Sequence, residues 1–406
     1  MSQENISKKR KSLFVFLLLI ICFFVVEFGL HLAQTVFLFG YLKSERQREL
    51  DNRRTLAVYK DAPWAKEYYD EIYKMKPTID PLVGWRPEEI HGAYVNVDAE
   101  GVRKTWNPAV SSIMPQAKVF MFGASTTWGA GARDLYTIPS LVSKLLNSES
   151  AKNGSYRVTN YGQSGYVLVQ EIAKLTYLLE KGERPDYVIF YDGANDISYA
   201  YESGVPGPAG SAAIIRDQIE GRLSGDISAE LTQRVKNAVR EECFACRIAV
   251  GAIRKFSPRF LNPNVVAGQS YSGAELRRLA GEIAAAYKNE TMPFLQNLSR
   301  AFGFKLLMFW QPTIYTESKL IGQEKLLGSI DPHVNDANAS TLYREVNAIL
   351  PSDPAHNFYN LTYVLSARQK EYYIDYAHIS EEGNGIVAQK IVQILEHGYS
   401  APAPTI

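Results

Sequence analysis

The sequence predicts an α/β domain built on a five-stranded, doubly wound parallel sheet, and two observations carry that prediction. Short runs that are apolar on both faces recur from residue 116 onward, as strands buried on both sides require, and runs of helical period separate them. In order, "KVFMFG" reads as a strand, "IPSLVSKLLN" as a helix, "YRVTNYG" as a strand, "QEIAKLTYLLEKG" as a helix and "DYVIFYDG" as a strand. "FKLLMFWQP" and "HNFYNLT" supply two more strands, and "SEEGNGIVAQKIVQILEHG" supplies a closing helix. Residues 198–272 interrupt the alternation. The middle of this insertion, "AELTQRVKNAVREECFACRIAVGAIRKF", has amphipathic helical spacing and its ends are rich in Gly, Pro and Ser, which fits a lid, a contact surface or an elaborated loop.

The segments before the domain differ in character. Residues 1–12 form a basic tail, and residues 13–42 open on "LFVFLLLIICFFVV", continuing with only Glu27, His31 and Gln34 breaking the apolar run. A membrane helix needs about 20 mostly apolar residues, so 13–42 is expected to be a transmembrane anchor. Lys8, Lys9, Arg10 and Lys11 precede it and Lys43, Arg46, Arg48, Arg53 and Arg54 follow it, so flanking charge does not orient it. No small-x-small cleavage site follows, and Ile21 precedes Cys22 where a lipoprotein signal needs a small residue, which favours an uncleaved anchor. Residues 43–115 read as a juxtamembrane helix followed by a small hairpin segment within Leu82 to Pro108, where Gly, Pro and the turn-prone "DAEG" punctuate short alternating pieces, and residues 116–400 as the catalytic domain.

With 46% hydrophobic and 21% charged residues the chain can bury a substantial core, and its formal charge of +1 argues against a nucleic-acid surface. Of the three cysteines, Cys22 lies in the apolar run and Cys243 and Cys246 form a single "CFAC", a local disulfide or two plain thiols. No metal and no cofactor is implied.

Open α/β sheets bind ligands at the carboxyl ends of their strands. That rule picks out Ser125 in "GAST" after the first strand, Gly162 and Gly165 in "NYGQSG" after the second, and Asn195 in "DGAND" after the third. Asp375 and His378 in "DYAH" precede the last helix. Together they suit acyl transfer: Ser125 attacks a carbonyl, His378 takes its proton and Asp375 holds the imidazole. The backbone N–H groups of Ser125 and Gly165 and the Asn195 amide are the candidate oxyanion donors. Glycine at 165 lets the backbone approach a substrate closely. "GASTTWGAG" lacks the lysine and spacing of a phosphate loop, which argues against nucleotide binding. Alone, a Gly-x-Ser turn is ordinarily structural; the joint pattern carries the reading. Asp196 reads as an Asx turn supporting Asn195, Gln311 and Pro312 either line the pocket or end a strand, and Trp128 and Tyr166 either stack on sugar or pack.

The four blocks, in this order and after successive strands, resemble the SGNH (GDSL-type) hydrolases over residues 116–396, less much of the insertion. The resemblance implies a flavodoxin-like fold and a serine esterase or deacylase, with its nucleophile at Ser125, its second-block glycine at Gly165, its asparagine at Asn195 and its Asp-x-x-His at Asp375 and His378. "GASTTWGAGARDLYTIPSLV" with "WRPEEIHGAYVNVDAEGVR" is similar to membrane-attached bacterial members associated with cell-surface polysaccharides. One departure is Ala124, where the family usually carries Asp. The resulting expectation is a single-pass membrane esterase with its catalytic domain periplasmic or extracellular. Its partners would be the membrane, through the N-terminal helix, and an acylated small molecule or carbohydrate, plausible targets being O-acetyl groups. Acyl transfer to a cell-surface polysaccharide and a non-catalytic, membrane-tethered carbohydrate-binding protein are the alternatives.

Overall fold

The computed structural model describes residues 14–16, 18, 53–109, 116–148, 155–207, 271–317, 320–322, 327, 336–366 and 370–397. The chain divides into two units, residues 1–48 with 213–269 and residues 49–212 with 270–406. In the first unit, Phe14, Val15, Phe16 and Leu18 are helical and exposed. The rest of the expected anchor, the body of the insertion, Cys22, Cys243 and Cys246 lie outside the described residues. Among the described residues no helix is long and apolar enough to cross a membrane.

The first described residues of the second unit, from Arg53, are helical and lead to a 3-10 turn, Ala57–Tyr59, and helix α1 (Ala65–Lys74). Tyr68 and Tyr69 of α1 are buried against the unit's core. Strands β1 (Pro77–Asp80) and β2 (Gly84–Pro87) form an antiparallel hairpin whose first strand precedes the expected segment Leu82 to Pro108 and whose second lies within it. Asp80 closes its turn by accepting the N–H groups of Leu82 and Val83, as aspartate does at such corners. A shorter antiparallel pair, β3 (Ile90–His91) and β4 (Asn96–Val97), follows.

The sheet comprises β5 (Gln116–Gly123), β6 (Ser155–Asn160), β7 (Tyr187–Asp192), β8 (Lys305–Trp310) and β9 (Phe358–Asn360). The order is β6-β5-β7-β8-β9 and every neighbour is parallel. Val119 to Phe122, Val188 to Tyr191 and Leu306 to Trp310 are buried, so both faces of the sheet need helical cover. The helices are α2 (Ser125–Trp128), α3 (Ile138–Leu146), α4 (Leu168–Glu180), α5 (Ala194–Ser203), α6 (Gly273–Ala285), α7 (Met292–Phe302), α8 (Ala337–Ile349) and α9 (Glu381–His397). Local chemistry starts several of them: Thr137 accepts from Ser140 N–H at α3, Ser272 and Glu275 form a capping box at α6, and Asp336 accepts from Asn338 and Ala339 at α8.

Right-handed crossovers fix which face each helix covers. The step from β5 to β6 places α3 on one face. The return past β5 to β7, and the later steps in that same direction, place α4 and α8 on the other. Accordingly α9 packs on α3, whereas α6 packs on α5 and α8. The strand order reverses beside β5, so the crevice opens at the carboxyl ends of β5 and β7, next to Ser125 and Asn195.

Candidate active site

The turn that carries Ser125 begins where β5 ends. A Cβ on Gly123 would overlap Thr127 Oγ1 and lie 2.5 Å from the Tyr191 carbonyl, so only glycine lets β5 close against its neighbour strand there. Ala124 is buried and extended, and its carbonyl accepts the Trp128 N–H at 2.9 Å, starting the short helix whose first residue is Ser125. Thr126 Oγ1 donates to Gln311 Oε1 at 3.0 Å, which joins the end of β8 to this helix. Gln311 is therefore a buried tie between elements, and its Nε2 has no partner among the described residues.

The fully buried Arg103 clamps the loop that follows. Its Nη1 donates to the carbonyls of Trp128 (3.0 Å) and Gly129 (2.7 Å), its Nη2 to Ala132 (2.7 Å) and its Nε to Asp134 Oδ1 (3.0 Å). The guanidinium also lies 4.2 Å from the Trp128 ring centroid. That ring is buried, so Trp128 is a packing residue first; with Trp85, Gln163 and Ser164 it lines a cavity of about 160 Å³.

Asp375 shapes its own turn before α9. Oδ1 accepts the N–H groups of Ala377 (3.0 Å) and His378 (2.8 Å), and Oδ2 lies 2.7 Å from His378 Nδ1. A carboxylate only accepts, so Nδ1 carries the proton and Nε2 is left as the acceptor. Ser125 Oγ lies 2.7 Å from that Nε2. Burial alone would raise the Asp375 carboxyl. The charge and hydrogen bond of His378, followed by the charge of Arg53, outweigh burial and hold it well below the usual carboxylate range.

Gly162 lies against the backbone of Thr127 and Trp128, Gly165 adopts a left-handed φ of +78°, and the Asn195 amide donates to the adjacent Tyr166 carbonyl at 2.8 Å. The second and third blocks are thus tied together, and Asn195 keeps one amide hydrogen uncommitted by that bond. The β1–β2 hairpin lies on this loop: Trp85 Nε1 donates to the Ser164 carbonyl at 2.9 Å, the Tyr166 hydroxyl to the Trp85 carbonyl, and Gln170 Nε2 to the Val83 carbonyl at 2.6 Å. Tyr166 meets the Trp85 ring edge to face, a packing role.

Asp196 behaves differently from its expected Asx turn. Its Oδ1 reaches across to accept the Leu168 N–H at 3.2 Å at the start of α4, and it shares a buried acidic cluster with Glu171 and Asp192. Burial pushes Asp196 up to about 6, and burial with mutual repulsion raises Glu171 and Asp192 well above the ordinary range. Among the described residues no His, Cys, Asp or Glu group is arranged to hold a metal ion.

The structure brings Ser125, Asp375 and His378 into one hydrogen-bonded series and sets Asn195 beside the Gly165 loop. Sequence reasoning missed Arg53, whose Nη1 donates to Asp375 Oδ2 at 3.0 Å, as well as the Arg103 clamp and the Trp85 brace. The only signal for Arg103 was its position directly after the "DAEGV" turn; Arg53 had none.

The family model for GDSL-like lipase/acylhydrolase matches residues 119–391. No curated protein sequence matches the chain. Solved structures that match include an acetyl xylan esterase, AlAXEase, at 14% identity, covering 68% of this chain and 97% of that one with a TM-score of 0.33. The lipase/acylhydrolase from Enterococcus faecalis matches at 14% identity over 70% of this chain and 100% of its own, TM-score 0.33. A carbohydrate acetylesterase family member from Sinorhizobium meliloti matches at 14% over 69% and 97%, TM-score 0.31. The family model spans well over half of the chain and brackets every block from Ser125 to His378, so the protein belongs to the GDSL-like lipase/acylhydrolase family and is an ester hydrolase.

Proposed function

We propose that the protein is a membrane-anchored serine esterase that removes O-acyl groups, O-acetyl groups in particular, from carbohydrate through an acyl-enzyme on Ser125. The observation that carries this reading is the hydrogen-bonded series Ser125 Oγ, His378 Nε2, His378 Nδ1 and Asp375 Oδ2, with both contacts at 2.7 Å.

Ser125 Oγ attacks the ester carbonyl as its proton passes to Nε2, and Asp375 stabilises the imidazolium that forms. The N–H groups of Ser125 and Gly165 and the remaining N–H of the Asn195 amide receive the oxyanion; one such donor is worth about 100- to 1000-fold in rate. The tetrahedral intermediate collapses, the C–O bond to the sugar breaks, and His378 returns the proton to the departing alkoxide. Water then attacks the acyl-enzyme with His378 again as base, which releases the carboxylic acid and restores Ser125.

The carbohydrate assignment is supported by the likeness of residues 85–103 and 123–142 to polysaccharide-associated relatives. The anchor at residues 13–42 and an outward-facing catalytic domain are supported by the apolar run. A fluorophosphonate is expected to label the wild type and not Ser125→Ala; undiminished labelling of that variant refutes the nucleophile assignment. With an acyl ester and a sugar acceptor supplied together, free acid is the expected product. Acylated sugar in excess of acid would replace hydrolysis by transfer.

A further inference from the structure

We propose that Arg53, which lies outside the residues matching the family, is a positioning residue for the Ser125–His378–Asp375 series. This inference rests on the triad reading above.

Each oxygen of Asp375 has two acceptor sites, and the structure fills all four. Oδ1 takes the N–H groups of Ala377 and His378, and Oδ2 takes His378 Nδ1–H and Arg53 Nη1–H. The Asp375 side chain is 3% exposed, so water has little access to the fourth site if Arg53 is removed. Three of these donors come from the aspartate's own turn; the fourth comes from outside it and ties Oδ2, the oxygen that holds the imidazole, to the leading segment.

Arg53 is itself held in place by its own segment. The Tyr59 hydroxyl donates to the Gly131 carbonyl at 2.8 Å, the Gly131 N–H donates to the Tyr68 hydroxyl at 2.7 Å, and Tyr69 bonds to Tyr59 at 3.1 Å. Gly131 belongs to the loop that Arg103 clamps from the other end, so the stretch carrying Arg53 is fastened to the nucleophile's own loop.

The test uses the full chain with an aryl acetate, comparing the wild type, Arg53→Met and Arg53→Lys. Arg53→Met is expected to lower kcat by about 10- to 100-fold, by analogy with the loss on removing a partner that orients a metal-ligating side chain, with KM nearly unchanged. Arg53→Lys keeps a donor and the charge and is expected to recover most of that loss, kcat falling by only a few-fold, since a point ammonium lacks the planar fork. A wild-type kcat in Arg53→Met, or a loss carried by KM, overturns the inference. If Arg53→Met does not accumulate as folded protein, Arg53→Lys decides: a wild-type kcat overturns the inference, and a reduced kcat at unchanged KM upholds it. Fluorophosphonate labelling of the wild type separates the two levels. No labelling refutes the triad reading and this inference with it, whereas labelling with an unaffected Arg53→Met refutes this inference alone.

Discussion

Replacing Arg103 by methionine tests what holds the nucleophile loop. The guanidinium is fully buried and spends its donors on Asp134 and on the carbonyls of Trp128, Gly129 and Ala132. Removing it leaves Asp134, 5% exposed, with Asn96 Nδ2 on its other oxygen at 2.9 Å and no cation. Breaking a buried pair in this way costs about 3–5 kcal/mol. Each orphaned carbonyl costs about 1–3 kcal/mol more unless water reaches it. Methionine preserves apolar contact with the Trp128 ring, so the polar loss dominates. A whole domain is stable by only about 5–15 kcal/mol, so the predicted loss of at least about 4 kcal/mol consumes much of it. Urea unfolding followed by tryptophan fluorescence measures the change. The pair Arg103→Met with Asp134→Asn removes the stranded charge and is expected to recover about 1–3 kcal/mol relative to Arg103→Met alone. A loss below 1 kcal/mol in the single variant, or no recovery in the double, refutes the clamp.

Two further perturbations probe the oxyanion loop and the buried acids. Gly165→Ala forces a side chain onto a φ of +78° and places its Cβ 3.3 Å from the Trp85 ring, so kcat/KM is expected to fall by at least about 10-fold at a strain of about 1–2 kcal/mol; unchanged turnover in a folded variant removes Gly165 from the site. Because burial raises Asp196 to about 6 and raises Glu171 and Asp192 as well, the folded state retains protons the unfolded chain has lost, and stability falls as pH rises from about 4 through 6 and beyond. Asp196→Asn keeps an acceptor for Leu168 N–H without the charge, so its unfolding free energy in urea is expected to exceed the wild type's by on the order of 3 kcal/mol at pH 8 and to converge with it near pH 4; parallel profiles refute the assignment.

The strands were legible because a central parallel strand is apolar on both faces, and "VFMF", "VIFY" and "LLMFW" are buried along their lengths. Asp375 and His378 were legible for a local reason. The aspartate accepts its own turn's N–H groups at positions two and three residues ahead, so the spacing of "DYAH" records the geometry that aims the imidazole. Arg53 was illegible because its partner lies 322 positions away and a lone arginine after an apolar run reads as flanking charge. Arg103 was illegible because isolated arginines are ordinarily solvated. Asp134 and the converging carbonyls of residues 128–132 together make a buried one stable, and carbonyl directions leave no trace in side-chain identity. Trp85 is a similar case: its indole meets Ser164 across 79 positions, a pairing set by how the hairpin folds back.

These long-range contacts also bear on Ala124. A carboxylate at that position would add acceptors at the start of the nucleophile helix, whereas here the side chain is an inert methyl group and the helix has no side-chain cap. Other bonds hold the turn. Gly123 allows close approach to Tyr191, Thr127 Oγ1 donates to the Tyr191 carbonyl at 3.3 Å, Thr126 anchors to Gln311, and Arg103 gathers the carbonyls that follow. Two of these ties reach the ends of β7 and β8, and the third comes from the segment ahead of the sheet. Ser125 is therefore fixed relative to three separate elements without a charge at residue 124. The one carboxylate bonded within the catalytic series is Asp375, and it receives the imidazole and Arg53 at the same oxygen. Electrostatic control of the site is thereby concentrated at its acid end, while the nucleophile end is held by neutral hydrogen bonds, close packing and a buried arginine whose charge is matched by Asp134.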